Sequence, residues 1–353
     1  MKPRAVLERI EPYNPGQRIP GGIKLASNEN PFGPSPRAIE AVTGMLNELH
    51  FYPDGGMHQL RTALAREWDV SPEMVIAGNG SDEVLVMIAG AVIEPGTNAI
   101  TAEHTFSQYA FSAQIFGADV RIARMRDGHF DLQAMADQID DQTRIVFLCS
   151  PNNPTGTIIG ARELAAFLER MPSHVLVVVD EAYGEYVTST DYPNTIALIA
   201  GGANLIRLRT FSKVYGLAAL RVGYGIARGE VIAAVSRLRQ PFNVGTVGQV
   251  AAAAALADHE FVRRTLENND REKERLCRFL DAHSLPYFPT EANFVCASFA
   301  RPGARNVNEA LHDERITVRP LVSFGMPDHM RISIGTPDEM DALYEALDRI
   351  LGG

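Results

Sequence analysis

Thr210-Phe211-Ser212-Lys213-Val214-Tyr215-Gly216-Leu217-Ala218-Ala219-Leu220-Arg221 sets a lysine among small and hydroxylic residues, with Gly216 and Arg221 close behind it. Residues 204–208 read as a short apolar strand before it, and residues 222–227 as another after it. A lysine at such a junction can point into a cleft, where a partly desolvated amine is a usable nucleophile and base. Thr210 and Ser212 supply hydroxyls, and Arg221 supplies a fixed cationic fork; both suit a phosphate held near that amine. An amine beside a phosphate cradle suggests pyridoxal phosphate held as a Schiff base. The other reading is a surface lysine in a polar loop, as most lysines are.

The surrounding chain alternates strand and helix. Residues 75–77 read as a strand ending in Gly78-Asn79-Gly80-Ser81-Asp82, with a helix expected from Glu83 to Ile93. A glycine-rich turn there presents free backbone N–H groups at the positive end of a helix, a phosphate site that includes Ser81 and Asp82. It lacks the last glycine of the dinucleotide fingerprint, as does Gly223-x-Gly225, which disfavours a nicotinamide cofactor. Residues 98–101, 119–123, 144–148 and 175–179 read as further strands. Uninterrupted apolar strands between helices indicate an α/β fold with a mostly parallel sheet covered on both faces. Ligands of such sheets bind at the carboxyl ends of the strands. Asn153, Asp180 and Lys213 all follow such ends, although Asn153 could be a plain turn former, Asp180 a turn cap and Tyr183 a core aromatic.

The texture changes near residue 243, where an alanine-rich helix and a long charged helix precede short strands. The expected division is an extended Pro/Gly-rich arm over 1–22, a large domain over 23–242 and a small α+β domain over 243–353. The chain has 353 residues and a formal net charge of −10, which argues against nonspecific binding to nucleic acid or anionic membrane. Cys149, Cys277 and Cys296 stand far apart, as buried thiols of a reducing compartment do, and no metal ligand set stands out. No signal peptide and no membrane span are expected, so the default location is cytoplasmic.

Asn153-Pro154-Thr155-Gly156, Asp180-x-x-Tyr183, Ser212-Lys213 and Arg221 together resemble the fold-type I pyridoxal-phosphate aminotransferases. Asn28-Glu29-Asn30-Pro31, Tyr52-Pro53-Asp54, residues 80–83, 239–243 and 318–321, and Met330 to Thr336 resemble the histidinol-phosphate aminotransferase family specifically. The resemblance implies that fold, pyridoxal 5'-phosphate as cofactor, and a homodimer with shared sites. It implies that Lys213 forms the Schiff base and moves a proton, and that Asp180 pairs with the ring nitrogen. Asn153 and Tyr183 would bond the phenolic oxygen. Ser81, Asp82, Thr210, Ser212 and Arg221 would hold the phosphate, with Tyr52 reaching the neighbouring subunit's site. Phe106 would stack on the ring, where relatives often carry tyrosine. Arg331 would bind the substrate's carboxylate or phosphate, with Arg319 and Tyr13 as helpers and Asn28 closing over it. Gly245 stands where relatives commonly carry asparagine.

The reaction so implied is histidinol phosphate and 2-oxoglutarate exchanging with imidazole-acetol phosphate and glutamate. Its rivals are an aromatic-amino-acid aminotransferase, a decarboxylase of the same fold, and a non-catalytic pyridoxal-phosphate-binding regulatory module. The absence of a basic helix-turn-helix extension speaks against the last.

Overall fold

The computed structural model describes residues 1–10 and 19–352. Seven strands form the central sheet: β1 (Val75–Asn79), β2 (Asn98–Ala102), β3 (Asp119–Ala123), β4 (Thr143–Cys149), β5 (Leu176–Asp180), β6 (Leu205–Thr210) and β7 (Val222–Ile226). Their order is β1-β7-β6-β5-β4-β2-β3. β7 runs antiparallel to both neighbours, and the remaining pairs are parallel. Val177, Val178 and Val179 are fully buried, as apolar runs must be when helices cover both faces. The mostly parallel sheet expected from the sequence is the one observed.

Strand direction places the site. Asn79, Asp180 and Thr210 end their strands at one edge of the sheet. Antiparallel β7 starts at that same edge, with Val222 opposite Asn79 and Gly223 opposite Thr210. Residues far apart in sequence are thereby drawn to one line of strand ends, where α/β sheets bind ligands. Below that line lies a buried charge cluster joining β5 to β6. Glu181 Oε2 stands 2.7 Å from Arg207 Nε and 2.9 Å from Arg209 Nη2, while Arg209 Nη1 is 3.0 Å from Glu185. The Arg207 guanidinium lies 3.6 Å over the Trp68 ring. The cluster balances its own charge, the condition for an ionic group to stay in a core.

The smaller sheet holds β8 (Phe294–Ser298), β9 (Arg319–Pro320) and β10 (His329–Ser333), all antiparallel, with β10 central. The helices His259–Ala282, Ala304–Asp313 and Pro337–Leu351 pack around it and bury Leu276, Leu280, Leu311 and Leu343. Pro337–Leu351 opens on a full capping box between Thr336 and Glu339.

Three details differ from the sequence expectation. The alanine-rich helix Thr246–Leu256 puts Ala251, Ala252 and Ala255 into the larger core, not the smaller. Conversely Ile23–Lys24 pairs with Ile316–Thr317, and Leu25 enters the smaller core. The larger core therefore extends past residue 243, and takes in Ala292 and Phe294 as well, because small alanine side chains let the helix Thr246–Leu256 pack closely on the helices Pro36–Met45 and His58–Glu67. Lastly, Ala5–Arg9 forms a short 3-10 helix inside the expected extended arm, since such a turn needs only neighbouring carbonyls. Among the described residues no helix is long and apolar enough to cross a membrane.

Gly216 closes the turn that carries Lys213. Its N–H donates to the Lys213 carbonyl at 3.0 Å, its φ is +70°, and a Cβ there would run into the Gly33 carbonyl. Gly216→Ala should cost about 1–3 kcal/mol, read as a lower midpoint of thermal unfolding; an unchanged midpoint would show that this turn is not rigid.

Candidate functional site

Lys213 sits in the loop between β6 and β7, where its Nζ donates to the Ser27 carbonyl at 3.3 Å and lies 5.4 Å from the Tyr183 ring centroid. By surface area it is only half-buried, yet protein surrounds its amine closely. Burial first, and the nearby Arg331 guanidinium second, pull its pKa down to about 8. Such an amine is neutral often enough near neutral pH to attack a carbonyl or take up a proton.

Asp180 ends β5 and is buried. Its Oδ1 accepts from the Ala182 N–H at 3.0 Å and its Oδ2 from the Tyr109 hydroxyl at 2.9 Å. Burial raises its pKa to about 6, against the two hydrogen bonds that lower it. Both donors are neutral: among the described residues no cation pairs with this carboxylate. A buried carboxylate in that condition suits a ligand that brings its own positive charge.

The side chains expected from the sequence to hold a phosphate lie together. Thr210 Oγ1 donates to Ser212 Oγ at 3.0 Å and accepts from the Ser212 N–H at 3.1 Å. Arg221 Nη1 donates to Ser212 Oγ at 3.4 Å, and its Nη2 stands 3.0 Å from Asp82 Oδ2. One expectation needs correcting: Gly80, Ser81 and Asp82 are not a loop before the helix but its first turn, since the helix spans Gly80–Val92. Gly80 takes φ +75° and bonds back to the Arg221 carbonyl, so the helix can start directly from the strand end. The free N–H groups of a helix start remain available for an anion. Gly223 must lack a side chain there, because a Cβ would collide with the Ser81 N–H that faces this cradle.

The small domain contributes Arg331, from the middle of β10. It is buried, its Nη1 donates to Asn153 Oδ1, and its Nη2 donates to the Ala26 carbonyl at 2.8 Å. Its Nε has no partner, and among the described residues no carboxylate pairs with it. Burial lowers its pKa, and Arg319, directly opposite on β9, pushes the same way. Two cationic forks in one register, on one face of a sheet, make an anion receptor. Asn28, with φ 56°, crosses between the domains: its Nδ2 donates to the Tyr183 hydroxyl at 2.9 Å, and its backbone N–H donates to Ser333 Oγ at 2.8 Å. Burial raises the Tyr183 pKa to about 12, so its hydroxyl keeps its proton.

Contacts thus link Lys213 to Tyr183, Tyr183 to Asn28, and Arg331 to Asn153 with Arg319 opposite it in register, while Asp180 ends β5 and Ser81, Asp82, Thr210, Ser212 and Arg221 gather at the neighbouring strand ends. Phe106 lies half-buried with its ring edge-on to Tyr109, 5.6 Å between centroids. Tyr52 stands apart, 83% exposed and stacked on Phe242 at 4.9 Å. Tyr13 lies outside the described residues. Gly245 caps the helix Thr246–Leu256 with nothing within 4 Å of where a Cβ would stand, so space does not exclude a larger residue there. Sequence reasoning missed Tyr109; the only signal was a hydroxyl-bearing aromatic one helical turn beyond Phe106.

Residues 20–347 match the family described as aminotransferase class I and II. The chain is 46% identical over 360 residues to the histidinol-phosphate aminotransferase of Geobacillus thermodenitrificans, covering 99% of this chain and 98% of that one. It is 45% identical over 361 residues to that of Bacillus subtilis, covering 99% and 100%. Among solved structures, the histidinol-phosphate aminotransferase of Sinorhizobium meliloti in complex with pyridoxal-5'-phosphate superposes with a TM-score of 0.87 at 29% identity, over 94% of this chain and 91% of that one.

In cofactor-free protein, a small aldehyde with borohydride reduction should modify Lys213 ahead of Lys24 and Lys273. Because its pKa is lowered, the rate should rise to a plateau through about pH 8. Peptide mapping that finds Lys213 unmodified until well above pH 10, the ordinary lysine range, would contradict the geometry.

Proposed function

The chain belongs to the class I and II aminotransferases, in the histidinol-phosphate aminotransferase family, and we propose that it passes an amino group from glutamate to imidazole-acetol phosphate, giving histidinol phosphate for histidine biosynthesis. It is a pyridoxal-phosphate enzyme, and its residues fit that cofactor: a buried carboxylate that no cation pairs with among the described residues, hydroxyls and a guanidinium gathered beside a helix start, and a lysine of lowered pKa. When bound, pyridoxal phosphate supplies an electron sink for a carbanion at the substrate Cα. The protein does the rest.

Lys213 would hold the cofactor through its amine and, as a free amine, would give and take the proton at the substrate Cα. Asp180 holds the ring nitrogen in its charged form. Asn153 and Tyr183 would hold the ring's phenolic oxygen, Phe106 would stack on the ring, and Thr210, Ser212, Arg221, Ser81 and Asp82 would hold the phosphate. The buried Arg331, free of any carboxylate partner and flanked by Arg319, carries the substrate reading. One fork accepts the carboxylate of glutamate bidentately, and the pair suits the dianionic phosphate of the second substrate. Tyr13 and Asn28 complete that pocket in this reading.

The enzyme works as a homodimer in the cytoplasm. Tyr52 at 83% exposure, with Phe51 at 65% and Phe242 at 44%, offers an aromatic surface for the partner and places a hydroxyl for the partner's phosphate site. Light scattering should return a dimer, and Tyr52→Phe should weaken cofactor retention; an active monomer would refute this part.

The decisive measurement is the visible spectrum of the loaded protein during titration. Histidinol phosphate should bleach the Schiff-base band, while phenylalanine at the same concentration should leave it. Equal bleaching by phenylalanine would move the assignment to an aromatic aminotransferase, and carbon dioxide release without a keto acid would move it to a decarboxylase. Lys213→Ala should lose at least about 10³-fold in turnover, and Arg331→Ala should raise KM for both substrates by on the order of tenfold or more.

A further inference from the structure

Tyr109 lies on the helix Gln108–Gln114, fully buried and outside every role assigned above. Its ring stacks on Phe147 of β4, with centroids 5.4 Å apart and planes at 13°, and meets the edge of Phe106 at 82°. Aromatic walls on two sides fix where its hydroxyl points. That hydroxyl donates to Asp180 Oδ2 at 2.9 Å. Asp180 Oδ1 takes the Ala182 N–H, so each carboxylate oxygen is tethered separately and the group cannot turn about its Cβ–Cγ bond without breaking one tether. Cys149, opposite Asp180 in register, closes the same wall and gives its S–H to the Pro151 carbonyl, leaving Tyr109 as the side-chain donor to the carboxylate.

We propose that Tyr109 is a positioning residue for the cofactor's ring nitrogen, acting through Asp180: it sets the carboxylate's orientation and keeps it ionised to face a protonated nitrogen. This rests on the reading of Asp180 as the partner of that nitrogen. Burial drives the phenol's own pKa well above its usual value, so Tyr109 stays a donor throughout the working range. The same burial raises Asp180 to about 6, and the Tyr109 bond is first among the contacts that pull it back. A charge-assisted bond of this kind in a dry wall is worth more than a neutral one. Phe106 links the two halves of the device, because its ring lies both against Tyr109 and at the position assigned to cover the cofactor.

The test compares two ligands on unloaded protein: pyridoxal phosphate, and its 1-deaza analogue with carbon in place of the ring nitrogen. Dissociation constants are measured for the unsubstituted protein, Tyr109→Phe and Asp180→Asn. Tyr109→Phe removes one oxygen and keeps the ring packing. It should weaken pyridoxal phosphate on the order of tenfold while changing the deaza analogue less than about twofold, and it should shift the pH midpoint of the loaded protein's visible band upward. If Tyr109→Phe weakens both ligands equally, or neither, while Asp180→Asn still discriminates between them, Tyr109 is only a packing residue and the proposal falls. If Asp180→Asn itself fails to discriminate, the reading of Asp180 is what fails. Should Tyr109→Phe not fold, difluorotyrosine at position 109 decides, since it keeps the volume and strengthens the donor. A larger preference for the nitrogen-bearing ligand then supports the proposal, and an unchanged preference overturns it.

Discussion

Two buried charges of opposite sign, neither with a counter-ion among the described residues, govern this structure. Asp180 ends a strand of the large sheet with only neutral donors on its carboxylate. Arg331 lies in the small sheet with a side-chain amide and a carbonyl as partners and one nitrogen unmet. Desolvating a single ion costs several kcal/mol unless a partner compensates. Elsewhere the protein avoids that cost, as the cluster of Glu181, Arg207, Arg209 and Glu185 shows by pairing its charges within the core. In the reading proposed above, two different molecules supply the missing partners: the cofactor's ring nitrogen for Asp180 and the substrate's anionic group for Arg331. Lys213 lies within the field of Arg331, which together with burial lowers its pKa to about 8.

The two sheets contribute differently because their rigidity has different sources. The large sheet fixes Asp180 and the phosphate cradle through strand ends that share ladder bonds, so those groups cannot drift relative to one another. The small sheet offers Arg331 and Arg319 through three short strands, joined to the large domain by a few polar links such as Asn28 to Tyr183 and Arg331 to Asn153. The groups at the strand ends are therefore fixed by ladder bonds, while Arg331 and Asn28 are held by side-chain links between the two domains. A network of this type fixes geometry before the reacting groups arrive, which is where much of an enzyme's advantage comes from.

The alternation of apolar strands with helices, the turn chemistry at strand ends, and the order of Asn153, Asp180, Tyr183, Lys213 and Arg221 were all readable in the chain. Periodicity and punctuation are local properties, and the spacing of these residues follows from the length of each strand–helix unit. Local pattern could not say which core an alanine-rich helix joins: Thr246–Leu256 has no strong apolar face, so its place depends on which neighbours let it approach closely. Nor could it show that Gly80 begins a helix and does not precede one, because the Gly80–Arg221 backbone bond that makes this possible spans most of the large domain. Tyr109 was invisible for the same reason, its partner being a residue three strands away in sequence.

Composition and motif thus carried the architecture, the choice of Lys213 as the candidate reactive lysine, and the kinds of charge expected near it. The tertiary structure decided which charges are left unpaired, that Arg319 and Arg331 share a register, and that a phenol stands behind Asp180. Residue type and order along the chain carry the first group. The second depends on burial and on distances between segments remote in sequence, and these exist only once the sheets have formed.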